Sequence, residues 1–291
     1  GILVLGLEEE KRQSTLENLV AAAEAAAFQL PTFKSVKKTK APLERIKILA
    51  SKPRVNLNTI RAQALGNNIA RWFTALPPNK LDAKNYRKLV KALCARYGIQ
   101  ATVLDESKLE RLGANAFLAV SQGNANRDAG IIQLRYRPPG IKYPGLMLVG
   151  KGILFDTGGT NLKPFKSMLD MHMDMEGSAV ALGALIALAT LEVPYGIDAW
   201  LAVTENRLSA TAYKSQDIIQ AANGTTIQII HTDAEGRMVL ADTLALAARE
   251  KPDVIIDYAT LTGTCVSALT ERYSGVFSNR IKANALLYHA G

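Results

Sequence analysis

The alternation of apolar and polar positions along the chain predicts a series of strands and helices. Short apolar runs bounded by Gly, Pro or Asn are typical of strands, and longer Ala- and Leu-rich stretches with helical spacing are typical of helices. The predicted strands are Ile2–Gly6, Ile46–Ala50, Ala101–Leu104, Ile131–Tyr136, Leu146–Val149, Ala199–Val203, Ile227–Ile230 and Val254–Tyr258. The predicted helices are Ser14–Phe28, Thr59–Leu76, Ala83–Tyr97, Gly177–Leu191 and Arg237–Glu250. Because helices alternate with the last four strands, the pattern predicts an α/β fold, a three-layer domain whose mixed, mainly parallel sheet is flanked by helices.

Composition keeps the chain within the class of ordinary globular proteins. Its 291 residues are 48% hydrophobic, and its longest apolar runs are too short to cross a bilayer. The two cysteines, Cys94 and Cys265, stand far apart in apolar surroundings, which indicates a reducing compartment. We therefore expect a cytoplasmic protein with no membrane partner. A start without Met, inside a strand-like run, favours a piece of a longer gene product.

The net charge of +9 is concentrated in one segment. Between Lys34 and Arg96, sixteen Lys and Arg residues oppose only Glu44 and Asp82, which gives this segment a net charge of +14. A basic segment of this kind, residues 34–96, could attract nucleic acid. However, its last basic residues fall at helical spacing, which a solvated helix face also explains. The solvated face is favoured because no DNA-binding motif accompanies it, and a nucleic-acid-binding regulatory protein remains the alternative function.

The segment from His231 to Arg237 carries the first candidate chemistry. It reads H-T-D-A-E-G-R and follows an apolar run. On extended backbone, the carboxylates of Asp233 and Glu235 would face the same side, and Gly236 would give the backbone flexibility before a helix. Carboxylates at the carboxyl end of a strand suggest a metal site with oxygen ligands. An N-cap Asp with a first-turn Glu explains the same residues, so this segment alone leaves the two interpretations equal.

A second cluster favours the metal site. The glycine-rich stretch Gly150–Pro164 holds Lys151, Asp156 and Lys163, and it lacks both common nucleotide-binding glycine patterns. Asp174 follows ten residues later, flanked by Met before an Ala-rich helix, where an unpaired carboxylate would be costly. Three loops at strand ends would bring this carboxylate together with those of Asp156, Asp233 and Glu235. Four carboxylates in a chain with three histidines favour two metal ions bridged by carboxylates.

These motifs closely resemble the leucyl aminopeptidase family, the M17 cytosolic aminopeptidases. The family signature reads N-T-D-A-E-G-R-L, and residues 231–238 here read H-T-D-A-E-G-R-M. The blocks Val149–Pro164, Met171–Gly177 and Ala259–Gly263 are also similar, and the match runs from about Asn68 to Asn279. By this resemblance, residues 1–55 would be the end of a smaller α/β N-terminal domain with a connecting segment. Residues 56–291 would be the catalytic domain, without its C-terminal part.

The resemblance implies a di-metal aminopeptidase that removes N-terminal residues, preferably Leu-like ones, from short peptides. One divalent ion (Zn or Mn, with Mg or Co as alternatives) would be held by Asp156, Asp233 and Glu235. The other would be held by Lys151, Asp156, Asp174 and Glu235. Lys151 would bind as a neutral amine, because two adjacent dications lower the pKa of its ammonium. A water bridging the metals would be the nucleophile.

The resemblance also implies roles around the metals. Lys163 would stay charged and stabilise the tetrahedral intermediate, and Arg237 would hold a bicarbonate anion as general base. The substrate-binding positions would be Met171, Thr260, Leu261 and Gly263. The assembly would be a homohexamer built from two trimers. His231 stands where the family has Asn, and a structural role is favoured for it. A di-metal phosphoesterase is a third hypothesis, which a Lys ligand and Arg237 disfavour.

Overall fold

A computed structural model of the chain describes residues 9–35, 43, 45–47 and 56–290. The helices in these residues are α1 (Glu9–Ala27), α2 (Leu57–Thr74), α3 (Ala83–Ala95), α4 (Glu106–Arg111), α5 (Asn115–Ser121), α6 (Phe165–Met168), α7 (Glu176–Thr190), α8 (Glu235–Ala248), α9 (Gly263–Leu269) and α10 (Ile281–Ala290). The strands are β1 (Gln100–Asp105), β2 (Gly130–Tyr136), β3 (Pro144–Asp156), β4 (Gly196–Asn206), β5 (Ile218–Gln220), β6 (Thr226–Gln228) and β7 (Val254–Tyr258). The chain divides into two compact units, Gly1–Thr260 and Leu261–Gly291, and each is described by itself.

The main sheet has five strands in the order β1-β2-β4-β3-β7. Strand β3 pairs in parallel with both β4 and β7, whereas β2 pairs antiparallel with β1 and β4. Four strands therefore run in one direction and β2 runs against them. This arrangement confirms the predicted mixed, mainly parallel sheet.

Both faces of the sheet are covered by helices. Along β4, Ile197, Ala199 and Leu201 belong to a core shared with α2, α3 and α7, while Trp200 and Ala202 belong to a second core shared with α4, α5 and α8. Successive side chains of a strand point to opposite faces, so burial of both faces requires apolar residues at nearly every position. This is why the central strands are continuous apolar runs in the sequence.

Strand β3 differs most from the predicted pattern. It runs through Pro144–Asp156, whereas the sequence predicts that the strand ends before Gly150 and that a loop follows. The glycines lie inside the strand because the first turn of α7 crosses it closely. A Cβ at Gly150 would lie 2.4 Å from Cα of Ser178, and a Cβ at Gly152 would lie 3.0 Å from its Oγ. Lys151 is therefore a strand residue, and its predicted position in a loop is wrong.

The predicted strand Ile227–Ile230 is not part of the main sheet. Its first residues form β6, which pairs antiparallel with β5 in a separate two-stranded sheet. Ile218 in β5 and Ile230 after β6 are 72% and 69% exposed. Ile229 is nevertheless buried in the second core. The expectation that this run is a strand of the main sheet was wrong, because a short apolar run does not reveal which sheet it joins.

The N-terminal predictions are only partly covered. The predicted strand Ile2–Gly6 lies outside the described residues, as does most of Ile46–Ala50, whose first two residues lie in no helix or strand. Helix α2 begins after Asn56, whose side chain accepts a hydrogen bond from the Thr59 amide at 3.2 Å. It ends before Pro77, as a proline that cannot continue a helix predicts.

The basic residues near the end of segment 34–96 lie on an amphipathic helix. Helix α3 buries Ala83, Tyr86, Val90 and Cys94. The exposed basic residues of α3 are Lys84, Lys88 and Lys91, and Arg96, which directly follows the helix, is also exposed. This arrangement fits the solvated face that the sequence favours, and no feature of α3 favours nucleic acid.

One stretch has the length and hydropathy of a membrane-crossing helix. It covers Phe165–Thr190, and 67% of its most apolar window is buried within the protein. The stretch comprises α6, a 3-10 turn at Met171–Met173 and α7, and α7 contributes to the core described above. Burial in that core accounts for its apolar composition.

Candidate metal centre

Charged residues from several elements meet at one edge of the main sheet. Lys151 lies within β3 and Asp156 ends it, while Glu235 lies in the first turn of α8. Asp174 ends the 3-10 turn two residues before α7, and Asp233 lies in the turn before α8. The parallel strands β3, β4 and β7 all end at this edge, where open α/β sheets usually hold their sites.

The ammonium group of Lys151 is buried between two carboxylates. Its Nζ lies 2.7 Å from Oδ1 of Asp174 and 2.8 Å from Oε1 of Glu235. It also donates a hydrogen bond to the carbonyl of Thr260 at 2.8 Å, and the Thr260 hydroxyl donates to Asp174 Oδ1 at 2.7 Å. Lys151 is thus not the surface residue that a lysine usually is.

A second ammonium group joins the other two carboxylates. Nζ of Lys163 lies 3.0 Å from Oδ2 of Asp156 and 2.5 Å from Oδ1 of Asp233. The other oxygen of Asp156 accepts hydrogen bonds from the Gly158 amide and the Asn206 side chain, both at 2.8 Å. The structure therefore brings all five predicted metal ligands and Lys163 into one cluster.

The donor set of this cluster fits a divalent cation. Oxygens of Asp156, Asp174 and Glu235 lie within 4.8 Å of one another, and all three residues are buried. Four carboxylates oppose only two ammonium groups. Among the described residues, Asp174 Oδ2 is a buried oxygen without a hydrogen-bond partner. Buried carboxylates in excess of their cations are costly unless a cation joins them, so these residues fit one or more divalent ions.

Burial and crowding of like charge shift the pKa values of these groups. Burial, with the neighbouring carboxylates, raises the pKa of Glu235 to about 7 and that of Asp174 to about 6, although Lys151 opposes both shifts. Burial alone would lower the pKa of Lys151, but the charges of Asp174 and Glu235 raise it above its ordinary value. The pKa of Asp233 is raised by burial and by Asp156. Without a metal cation, these carboxyls therefore take up protons at a higher pH than exposed carboxyls do.

The backbone between Asp233 and Glu235 is not extended, so this expectation was wrong. The Ala234 amide donates to the carbonyl of His231 at 3.1 Å, which closes a turn, and Glu235 begins α8. The helix-start interpretation is right about Glu235, which lies in the first turn of α8, and wrong about Asp233, because the N-cap residue is Ala234. The carboxylates nonetheless point into the cluster and cap no helix: no side chain caps α8.

Gly236 has a different purpose from the flexibility that the sequence suggests. It is a buried residue of α8, and a Cβ at this position would lie 2.7 Å from Cε and 2.9 Å from Nζ of Lys151. The missing side chain leaves the space that the lysine occupies. Gly158 is different again, because its φ of +87° belongs to the left-handed region that favours glycine.

Sequence reasoning missed several polar residues that support the cluster. Thr232 and Asn206 are fully buried, and Tyr213 is almost so. Asn206 donates to Asp156 Oδ1, as described above, and the Tyr213 hydroxyl donates to the Thr232 carbonyl at 2.6 Å. Thr232 was within the quoted motif without an assigned role. Asn206 follows the apolar run of β4, and this polar end of a central strand was a signal that could have been used.

The remaining predicted residues are less constrained. Arg237 is exposed in the first turn of α8, and within the described part of the chain its guanidinium has no ion-pair or hydrogen-bond partner. Met171 is half-buried in the 3-10 turn before Asp174. Leu261 and Gly263 belong to the C-terminal unit, where Leu261 is exposed and Gly263 begins α9. The roles of these residues stay predictions.

Two histidines, His172 and His231, lie near cluster residues in the sequence. His231 is exposed, and its Nδ1 accepts a hydrogen bond from the Asp233 amide at 3.2 Å. His172 is half-buried in the 3-10 turn. Neither belongs to the group of close potential ligand atoms found in the described residues.

Two cavities lie outside the cluster. One of about 200 Å³ is lined by Asp82, Asp128, Glu205 and Arg207 among others. The other, an open groove of about 400 Å³, runs beside Tyr213 and Ile218 to Ile219. None of the charged residues of the metal cluster lines either cavity. The candidate site is therefore identified by its cluster of charged side chains and not by either of these cavities.

Comparisons with known proteins agree with this geometry. A model of the cytosol aminopeptidase family, catalytic domain, matches residues 68–291. A probable cytosol aminopeptidase of Syntrophotalea carbinolica is 42% identical over 233 residues, which cover 79% of this chain and 47% of that protein. A probable cytosol aminopeptidase of Parasynechococcus marenigrum is 41% identical over 268 residues, which cover 89% and 54%. The chain thus spans about half the length of these relatives.

Solved structures show the same fold. Leucyl aminopeptidase from Trypanosoma brucei in complex with actinonin has a TM-score of 0.78 at 30% identity, covering 83% of this chain and 47% of that one. The bottromycin maturation enzyme BotP in complex with Mn has a TM-score of 0.84 at 31% identity, covering 94% and 58%. The resemblance that began with the H-T-D-A-E-G-R segment extends to the whole sheet and to most of the sequence, and the chain belongs to the cytosol aminopeptidase family.

Proposed function

We propose that the protein is a metal-dependent aminopeptidase that hydrolyses the first peptide bond of short peptides and prefers Leu-like N-terminal residues. The observation that carries the proposal is the convergence of Lys151, Asp156, Asp174, Asp233 and Glu235, with Lys163 beside them. Membership of the cytosol aminopeptidase family supports the reaction, and the apolar residue Met171 beside Asp174 supports the preference.

The proposed site would hold two divalent ions, of which Mn and Zn are the first candidates. Asp156, Asp233 and Glu235 would hold one ion, and Lys151, Asp156, Asp174 and Glu235 the other. When bound, the ions would supply a water of lowered pKa and a Lewis acid for the peptide carbonyl. For Lys151 to take part as a ligand, its ammonium must lose a proton, since only the neutral amine has a lone pair.

Lys163 would stabilise negative charge on the substrate. Burial lowers the pKa of Lys163, but the carboxylates of Asp156 and Asp233 raise it by more, so that its pKa lies above the ordinary value. The side chain therefore remains an ammonium at neutral pH. A charged donor held in place in a partly buried site can stabilise charge that develops on a carbonyl oxygen. Its two ion pairs fix the ammonium beside the carboxylates that would hold a metal.

Arg237 would hold the anion that accepts a proton from the nucleophile, and we propose bicarbonate for that anion. Its guanidinium is exposed, without a partner in the described residues, and near the N-terminus of α8, where an anion is favoured. An external base would be needed because the four carboxylates of the cluster would be bound to cations, and neither His172 nor His231 belongs to the group of close ligand atoms found in the described residues.

Hydrolysis of leucyl and alanyl p-nitroanilides tests the reaction. We expect activity with Mn²⁺ or Zn²⁺, loss with a chelator, recovery when metal is added back, and the higher rate with the leucyl substrate. Asp233→Ala should lower activity by more than about 100-fold, the upper end for loss of an outer-shell metal partner. Asp170→Ala is the matched control, because it removes an exposed carboxylate four residues before Asp174. Activity that survives both chelation and Asp233→Ala would refute the site.

We also propose that the protein is cytoplasmic and assembles as a hexamer, as its family resemblance implies. The names of its curated relatives as cytosol aminopeptidases support the location. Multi-angle light scattering of the purified protein tests the assembly, with a mass of six chains expected. A mass of one or two chains at micromolar concentration would contradict it.

A further inference from the structure

Buried hydrogen bonds join the two turns that carry Asp156 and Asp233. The centre of this network is Thr232, which has no exposed surface. Its hydroxyl donates to the carbonyl of Gly158 at 2.6 Å and accepts from the amide of Asn161 at 2.8 Å. The side-chain oxygen of Asn161 accepts in return from the Thr232 amide at 2.8 Å. The side chain of each residue thus binds the backbone of the other.

The carbonyl of Thr232 extends the network to a third element. It accepts from the hydroxyl of Tyr213 at 2.6 Å and from Nδ2 of Asn206 at 3.1 Å. The same Nδ2 donates to Oδ1 of Asp156 at 2.8 Å. The side chain of Asn206 therefore bridges Asp156 and the backbone of Thr232, and Asp233 is the residue that follows Thr232.

We propose that Thr232 is a positioning residue that sets the distance between the carboxylates of Asp156 and Asp233 for metal binding. The inference rests on the proposed function. Lys163 contacts both carboxylates in the structure, and a metal held by both requires the same close approach. Their turns belong to distant parts of the sequence. In the part of the chain that the structure describes, the hydrogen bonds between these turns that involve no charged side chain have Thr232 as a partner.

The sharpest variant is Thr232→Val, which keeps the shape of the side chain and removes its hydroxyl. The Gly158 carbonyl and the Asn161 amide then lose a buried partner, so the two turns can separate. Thr232→Ser keeps the hydroxyl and should therefore keep the metal affinity of the wild-type protein. The matched control is Thr243→Val, because Thr243 is also fully buried and its hydroxyl donates to the Val239 carbonyl inside α8 at 2.7 Å, away from the cluster.

Metal affinity is measured by competition with a chromophoric chelator for Mn²⁺ or Zn²⁺, beside thermal unfolding of the chelated proteins. We expect Thr232→Val to bind the metal about 10–100-fold more weakly than wild type, as for other outer partners of metal ligands. Thr232→Ser and Thr243→Val should stay within about threefold of wild type, a margin well below that loss. Thr232→Val with wild-type affinity would overturn the proposal, as would an equal loss in Thr243→Val.

A second variant decides the matter if Thr232→Val does not fold. Tyr213→Phe keeps the ring and removes only the hydrogen bond to the Thr232 carbonyl, and it should weaken metal binding while the Thr243→Val control does not. Unchanged affinity in Tyr213→Phe would then overturn the proposal. The failure of the proposed function looks different, because in that case the wild-type protein itself binds no divalent ion and hydrolyses no aminoacyl anilide.

Discussion

Replacing Gly236 by alanine should destabilise the protein, although alanine is the better helix former. Gly236 lies in the first turn of α8, where a Cβ would be 2.7 Å from Cε of Lys151. Ordinary contact between such atoms begins near 3.4 Å. The lysine side chain would therefore have to move by about 0.7 Å to reach a normal carbon–carbon separation.

The lysine has little freedom to make that movement. Its Nζ is held by Asp174, Glu235 and the Thr260 carbonyl at 2.7–2.8 Å. A shift of this size takes at least one contact beyond hydrogen-bond distance, and a hydrogen bond to a charged group contributes about 1.5–3 kcal/mol. The gain from alanine in a helix is about 1 kcal/mol. We expect a net loss of about 0.5–2 kcal/mol, and each kcal/mol should lower the Tm by about 2–4 °C.

Thermal and urea unfolding of the chelated protein measure this loss. Ala245→Gly on the same helix calibrates the backbone effect, and it should cost about 1 kcal/mol. In a Lys151→Ala background the obstacle is gone, so Gly236→Ala should there be neutral or stabilising. A Gly236→Ala protein at least as stable as wild type, with Lys151 intact, would refute the explanation of this glycine.

Three further predictions concern charge. In the chelated protein, the pKa values of Asp174 and Glu235 are raised to about 6 and about 7, so the folded state keeps protons that the unfolded state has released. The Tm should therefore fall as the pH rises from about 5 to about 7. A Tm that rises over this range would contradict the prediction. Metal binding should release protons, including one from Lys151, and calorimetry in buffers of different ionisation enthalpy should detect it; binding without proton release opposes Lys151 as a ligand. Asp242→Asn should lower the free energy of urea unfolding by about 1–3 kcal/mol, because the buried Asp242 carboxylate accepts two backbone amides, one from Phe117, at 2.7 and 2.8 Å; an unchanged midpoint contradicts it.

The mixed, mainly parallel sheet and the clustering of four carboxylates at its edge could be predicted from the sequence, for a physical reason. Strands buried on both faces must be apolar at nearly every position, so a charged residue at such a strand's end, as Asp156 is, stands out. Asp233 and Glu235 could be recognised because they belong to one continuous sequence motif. These signals are local, and they survive without knowledge of what packs against them.

Features that depend on distant partners were not predictable in this way. Gly150 looks like a loop residue until the first turn of α7 is known to cross the strand beside it. The exposure of Ile230 depends on which sheet its segment joins, and the role of Thr232 depends on the distant turn that contains Gly158. In each case the deciding neighbour lies far away in the sequence.

The triplet Gly150-Lys151-Gly152 imposes two unrelated demands on three adjacent positions. One face of the strand admits no side chain because a helix crosses it, and the opposite face must present a long cationic one toward α8. A change at Lys151 cannot be compensated by the two glycines, nor a change at a glycine by Lys151, since the lysine and the glycines face opposite sides of the sheet. A library randomised at all three positions and selected for activity should therefore return mainly the original triplet. Selection for folding alone should still return the two glycines.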